Sequence, residues 1–116
     1  MRPRTEVLLE DIRDAAQFIL DETADLSFND YRLDRRLRQA VERNFEIMGE
    51  AMRRLRQVDP ETIALFASAR VVVDFRNVLI HGYDIVDDDR VWRTIQESLP
   101  VLVDEVEREL RRFGAE

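Results

Sequence analysis

The feature that most restricts the fold of this 116-residue chain is a long amphipathic stretch from Asp34 to Val58. Its apolar residues recur every three or four positions, the period of an α-helix with one buried side. The predicted buried stripe comprises Leu37, Val41, Phe45, Ile47, Met48, Ala51, Met52 and Leu55. Such a helix must pack against other helices, so the rest of the chain has to supply them.

The N-terminal half supplies three further helical signals. Thr5 to Asp21 predicts a helix with an apolar face of Val7, Leu8, Ile12, Ala15, Ala16, Ile19 and Leu20. The connection that follows is expected to contain one helical turn, because Ser27 and Asp30 have the spacing of a capping box. Asp59-Pro60-Glu61 is typical of a helix start and predicts a short helix to about Phe66.

Residues 67–80 are ambiguous between strand and helix. Three consecutive valines, 71–73, favour a strand, whereas Val72, Phe75 and Leu79 have helical spacing. Because the sequence offers no second convincing strand, we predict a helix that ends at Gly82.

The last predicted helix begins at the three aspartates 87–89, which we interpret as helix-capping residues rather than as ligands of a divalent cation. Pro100 should kink this helix or divide it in two before it ends near Gly114. Its predicted buried residues are Val91, Trp92, Ile95, Leu99, Val101, Leu102, Val106 and Leu110.

These elements predict a single all-α domain over residues 1–116, an antiparallel bundle of four to five helices. The apolar faces are generous for so small a core, so we expect an oligomer. The chain has no cysteine and one histidine, which leaves no usual ligands for a zinc cluster, and we expect no metal and no cofactor. No apolar run approaches the ~20 residues that span a bilayer, and acids occupy the N-terminal region, so a cytoplasmic location is expected.

The net charge of −7 argues against sequence-blind adhesion to nucleic acid. The charge is unevenly distributed, however. Residues 32–56 hold eight arginines and four acidic residues, a local excess of four positive charges. Arg53 and Arg54 in this region could border an RNA path, although a solvated helix face is the better explanation of them.

One short segment, Arg76-Asn77-Val78-Leu79-Ile80-His81-Gly82-Tyr83, concentrates groups that suit metal-free cleavage of RNA. Histidine titrates near neutral pH and can move a proton to or from a ribose or leaving oxygen. Arginine can stabilise the charge that develops on phosphoryl oxygens. On one continuous helix Arg76 and His81 would lie about 140° apart, so either the helix ends near His81 or a second copy of the chain completes the site.

The same residues also have purely structural explanations. His81 could interact with the negative end of a helix, Arg76 could pair with Asp74, and Tyr83 could pack with its hydroxyl in water. Composition and spacing alone favour these structural roles over catalysis.

The segment resembles the R-x4-H-x-Y signature of HEPN-domain proteins of the HepT type, the toxins of HepT/MntA toxin–antitoxin pairs. The similarity extends over nearly the whole chain in the same order. It includes Leu8-Leu9-Glu10-Asp11-Ile12, Leu26-Ser27-Phe28, the run from Ala40 to Ala51, Val91-Trp92 and Leu99-Pro100.

The resemblance implies a dimeric helical bundle with metal-independent endoribonuclease activity and a minimal nucleotidyltransferase of the MntA type as antitoxin. By position, Arg76 would contact the phosphate, His81 would act as acid or base, and Asn77 would orient the site. Tyr83 corresponds to the tyrosine that receives AMP from the antitoxin.

Two alternatives stay open at this point. HEPN folds also serve as non-catalytic scaffolds that bind a nucleotidyltransferase or a nucleotide, and a structural dimerisation module would require no site at all.

Overall fold

A computed structural model describes residues 3–66 and 87–114, and within these ranges it contains six helices and no strand. The helices are α1 (Pro3–Thr23), α2 (Phe28–Leu33), α3 (Arg35–Val58), α4 (Pro60–Ile63), α5 (Asp88–Glu97) and α6 (Leu99–Gly114). The predicted all-α fold is therefore confirmed. The predicted helix over 67–80 and its end at Gly82 lie outside the described residues.

Short polar side chains start these helices where the sequence predicted. The Ser27 hydroxyl accepts from the Asp30 amide at 3.1 Å, and the Asp30 carboxylate accepts from the Ser27 amide at 2.9 Å, which completes the capping box of α2. The Asp34 carboxylate accepts from the Leu37 amide at 3.0 Å and so caps α3. Each cap satisfies a backbone donor that lacks a partner within its own helix, so α2 and α3 begin where these side chains stand.

Helix α1 runs antiparallel to both α3 and α6. Thr5, in its first turn, donates a hydrogen bond to Asp59, which directly follows α3. Glu6 and Glu10 line the same groove as Leu110 and Arg111 near the end of α6. The start of α1 therefore meets the ends of both neighbours. Helices α2 and α5 pack on each other, α2 also contacts α3, and α5 contacts α6.

The core lies where the apolar stripes of α1, α3, α5 and α6 meet. Its fully buried large residues are Leu9, Ile12, Ile19, Tyr31, Phe45, Met48, Met52, Leu55, Ile95, Leu99 and Leu102. Most of the predicted stripe of α3 is in this core. Gly49 is buried beside it, so a neighbouring group can approach the helix backbone there.

Three apolar residues predicted to be buried are exposed instead. Val7, Ile47 and Val101 expose 55%, 36% and 49% of their surface. Each precedes a buried position by one or two residues, and a step of one residue turns the helix by about 100°. The prediction also missed Leu9, which is fully buried. The apolar character of these residues was clear from the sequence, but the direction of the packed side was not.

The observed boundaries of α1 and α4 differ from the predicted ones. Helix α1 extends two residues beyond the predicted range at each end, and α4 ends at Ile63, where turn bonds then lead to Phe66. Pro100 does divide the last predicted helix, with Ser98 between α5 and α6. Its missing N–H does no harm there, because first-turn amides have no intrahelical partner.

Candidate functional site

The four residues that the sequence predicts as the site, Arg76, Asn77, His81 and Tyr83, all lie outside the described residues. They belong to the segment 67–86, which joins α4 to α5 along the chain. The structure describes the residues that precede and follow that segment. Their catalytic and acceptor roles therefore stay predictions.

Asp59 stabilises the part of the structure that precedes residues 67–86. One carboxylate oxygen, Oδ1, accepts from the Thr62 amide at 3.2 Å and so caps α4. The other, Oδ2, accepts from the Thr62 hydroxyl at 2.8 Å and from the Thr5 hydroxyl at 3.0 Å. Thr5 and Thr62 are both buried, so Asp59 ties α4 to the first turn of α1. Phe66, at the end of this anchor, is buried in the core.

Asp87 caps α5, the helix that follows residues 67–86. Its carboxylate accepts from the Arg90 amide at 3.3 Å, and its carbonyl accepts from the Val91 amide at 3.1 Å. Asp88 and Asp89 follow in the first turn of α5, where negative charge stabilises the helix. The capping role predicted for the aspartate triplet is thus confirmed for Asp87. In residues 3–66 and 87–114 no group of three or more His, Cys, Asp or Glu side chains is arranged to hold a metal ion.

An aromatic cluster fixes α5 against α2. The ring of Trp92 lies 5.5 Å from the ring of Tyr31 and 6.3 Å from the ring of Phe28, and both pairs are tilted. Such tilted pairs add to the stability from burial alone. Tyr31 is fully buried, and its hydroxyl makes no hydrogen bond to any part of the chain that the structure describes.

Charged groups from α3 and α5 surround this tyrosine. Burial raises the pKa of Tyr31, Glu42 and Asp88 raise it further, and Arg38 opposes them. Burial likewise raises the pKa of Glu42, Asp88 adds to this, and Arg38 again acts in the opposite direction. The fold has therefore brought two carboxylates and a guanidinium together at the start of α5.

Sequence reasoning missed this charged group. Glu42 lies 46 positions before Asp88, and no sequence motif connects the two positions. Only the packing of α2 between α3 and α5 makes them neighbours. Without a fold, the one available signal was an acidic residue directly beside the predicted buried position Val41.

Three arginines of α3 are paired with acids on the same helix. Arg53 makes two bonds to Glu50, at 2.7 and 3.1 Å, and Arg54 contacts the same carboxylate at 3.2 Å. Arg43 pairs with Glu46 at 3.4 Å. These pairs reduce the positive field that the arginine count suggested. They agree with the interpretation as a solvated helix face, and an RNA path along Arg53 and Arg54 stays a prediction.

None of the six described helices combines the length and the apolar character needed to cross a membrane.

Comparison with known proteins identifies relatives over nearly the whole chain. A family model described as Ribonuclease HepT-like matches residues 9–109. A Thermococcus cleftensis protein named "Probable ribonuclease HepT" is 33% identical over 104 residues, which cover 86% of this chain and 90% of the relative. A candidate RNase of Methanocaldococcus jannaschii is 31% identical over 104 residues, 88% of this chain and 93% of the relative. No solved structure matches the chain significantly.

Proposed function

Because the chain belongs to the HepT-like ribonuclease family, we propose that it is an endoribonuclease that cleaves RNA without a metal ion through Arg76 and His81. The observation that carries this proposal is the family match, which spans residues 9–109 and so includes the whole R-x4-H-x-Y segment. The names of the relatives support ribonuclease activity in general. The metal-free mechanism and the residue roles are proposals that rest on the chemistry of the segment.

In the proposed reaction, His81 accepts the proton of a ribose 2′-hydroxyl as that oxygen attacks the adjacent phosphorus. Its neutral imidazole is available for this near physiological pH. Arg76 donates hydrogen bonds to the phosphoryl oxygens, where negative charge increases in the transition state. The 5′-oxygen of the next nucleotide leaves and takes up a proton, and the other product carries a 2′,3′-cyclic phosphate. Asn77 would orient Arg76 or the phosphate.

This reaction requires a proton acceptor and a proton donor, whereas the chain has a single histidine. A two-fold dimer would present two Arg76/His81 pairs to one RNA strand and so provide both groups. We therefore propose that the active species is a homodimer.

We further propose that a minimal nucleotidyltransferase of the MntA type inactivates the enzyme by transferring AMP to Tyr83. The modification would place a phosphate diester and an adenosine two residues from His81. Both the added negative charge and the bulk would hinder the approach of an RNA phosphate. This is the regulation expected of the toxin in a toxin–antitoxin pair.

The test is cleavage of a mixed RNA pool in EDTA by wild type, His81→Ala and Arg76→Ala. A matched control is Arg35→Ala, which removes an exposed arginine at the start of α3. We expect wild type and Arg35→Ala to cleave, with 2′,3′-cyclic phosphate ends or their hydrolysis products. The other two variants should retain the fold and lose cleavage.

Cleavage by a folded His81→Ala variant at the wild-type rate would contradict the proposed mechanism. If dimeric wild type unmodified at Tyr83 cleaves no RNA but binds a nucleotidyltransferase, the non-catalytic scaffold becomes the better explanation.

A further inference from the structure

One side of α1 and the adjacent side of α3 form a continuous exposed surface, which we call the α1/α3 face. Helix α1 contributes Val7 and Phe18, which expose 55% and 39% of their surface, and helix α3 contributes Ile47. Val7 and Phe18 point in nearly the same direction, because a separation of 11 residues is about three turns. Large apolar side chains so exposed on two neighbouring helices indicate a contact surface more than a solvated one.

Two depressions follow the line between these helices. One has a volume of about 560 Å³ and lies near the start of α1, and the other has about 210 Å³ and lies beside Ile47. Leu8, Asp11 and Arg54 line both, so the two depressions are continuous. The α1/α3 face therefore has holes that could receive side chains from another protein surface.

Among the residues that the structure describes, the charges around these depressions are balanced. Their basic residues are Arg4, Arg43 and Arg54, and their acidic residues are Asp11, Glu46 and Glu50. The complete chain, by contrast, has a net charge of −7. Two copies of an acidic chain repel each other least through a neutral face, whereas an RNA strand would require a positive one. The charge balance therefore favours a second copy of the chain over nucleic acid.

The order of residues along α3 is also complementary to itself. Arg43, Ile47, Glu50 and Arg54 recur at intervals of four, three and four, so they occupy one stripe of the helix. If two α3 helices cross antiparallel at Ile47, Arg43 lies four residues from the axis and the partner's Glu50 three residues from it on the same side, so these long side chains can meet. A two-fold axis repeats this contact, so a single residue pair produces two ion pairs around an apolar centre.

We propose that the α1/α3 face is the interface between two copies of this chain, with Ile47 at the two-fold axis and Arg43 paired with the partner's Glu50. The existing pairs of Arg43 with Glu46 and of Glu50 with Arg53 and Arg54 are exposed and lie within one helix. Such pairs contribute little stability, so exchanging these pairs for bonds across the interface costs little.

A cross-linking experiment tests the axis directly. Because the chain contains no cysteine, Ile47→Cys introduces a single thiol. At the axis the two thiols would lie close together, and mild oxidation should link most of the protein as a covalent dimer at low micromolar concentration. The matched control is Val101→Cys, which replaces another exposed apolar residue on α6 and should stay uncross-linked. Equal cross-linking of the two variants, or none at Ile47→Cys, overturns the proposal.

Charge reversal tests the pairing. Arg43→Glu and Glu50→Arg should each weaken dimerisation about tenfold or more in sedimentation equilibrium, because like charges then face each other. The double variant should recover most of the wild-type affinity. Circular dichroism checks that all three stay folded. A double variant no better than the singles overturns the proposed pairing. If the wild type is monomeric and Arg43→Glu lowers its affinity for RNA, the proposed pairing is also overturned. The α1/α3 face would then be assigned to nucleic acid.

The inference rests on the dimer invoked in the proposed function, and the experiments separate the two. Efficient cross-linking of Ile47→Cys in a protein that cleaves no RNA would overturn the proposed function alone. Histidine-dependent cleavage by a protein that does not cross-link at residue 47 would overturn only the assignment of this face.

Discussion

Replacing Asp59 with alanine is expected to destabilise the protein by about 3 kcal/mol. Asp59 accepts the Thr62 amide and the two buried threonine hydroxyls of Thr5 and Thr62. Loss of an N-cap typically costs ~1 kcal/mol. Each buried hydroxyl left without its acceptor costs about 1 kcal/mol more. Since domains of this size are stable by roughly 5–15 kcal/mol, the variant should fold but unfold much more readily.

Urea denaturation followed by circular dichroism at the helical band measures this difference. We expect a lower midpoint with an unchanged slope, and a melting temperature lower by about 12 °C. The control is Asp34→Ala. Asp34 also caps a helix, where its side chain accepts from the Leu37 amide, but the cap of α3 includes no bond to a threonine hydroxyl. It should lose only about 1 kcal/mol.

The Thr5→Val variant isolates the bond that joins α1 to Asp59 and should also lose about 1 kcal/mol. If Asp59→Ala costs no more than Asp34→Ala, the two threonine bonds contribute nothing. The conclusion that Asp59 anchors the start of the 67–86 segment would then be wrong.

Three further predictions concern single side chains. Burial and the charge of Asp88 raise the pKa of Glu42 above its ordinary value of 4.5. Ionisation of Glu42 therefore destabilises the folded state as the pH rises above that ordinary value. Glu42→Gln should therefore be more stable than wild type at neutral pH, and the gain should vanish below about pH 4 in pH-dependent urea titrations. Leu9→Ala should cost about 2–5 kcal/mol by thermal denaturation, whereas Val101→Ala should stay within roughly 0.5 kcal/mol, because Leu9 is buried and Val101 is exposed on α6. With the antitoxin and labelled ATP, wild type and Tyr31→Phe should take up AMP and Tyr83→Phe should not, since Tyr31 is fully buried; label on Tyr83→Phe would contradict Tyr83 as the acceptor.

Helix starts were the features best predicted from the sequence. Ser27, Asp59 and Asp87 each accept from the backbone amide three residues later, as their positions in the sequence indicated, and Asp34 does the same at the start of α3. Capping is a local interaction, so the nearby residue types suffice to predict it. Pro100 was equally clear, because its effect on a helix is steric and local.

The direction of each helix's buried side was predicted less well. Ile47 and Met48 are both apolar neighbours on α3, yet only Met48 is buried. Val7 and Leu9 on α1 show the same contrast. An apolar stripe can be wider than the contact it makes, and the positions of neighbouring helices decide which edge is covered. The exposed edge is the one that we assign to a second copy of the chain.

The candidate functional residues also differ in how far the sequence predicted them. The R-x4-H-x-Y segment was recognised from residue identity and spacing, and the family match includes it. The charged group of Arg38, Glu42 and Asp88 around Tyr31 carried no comparable signal, because its members come from two helices that are far apart in the sequence.

The sequence by itself determined the all-α class, the helix caps, the break at Pro100 and the family, because each depends on residues close together in the chain or on a pattern along it. Only the tertiary structure decided that Asp59 bonds to Thr5, that Glu42 lies near Asp88 and that Ile47 faces outward. These outcomes depend on how helices distant in sequence pack side by side. Packing follows the fit of whole surfaces, which no local pattern of residues specifies.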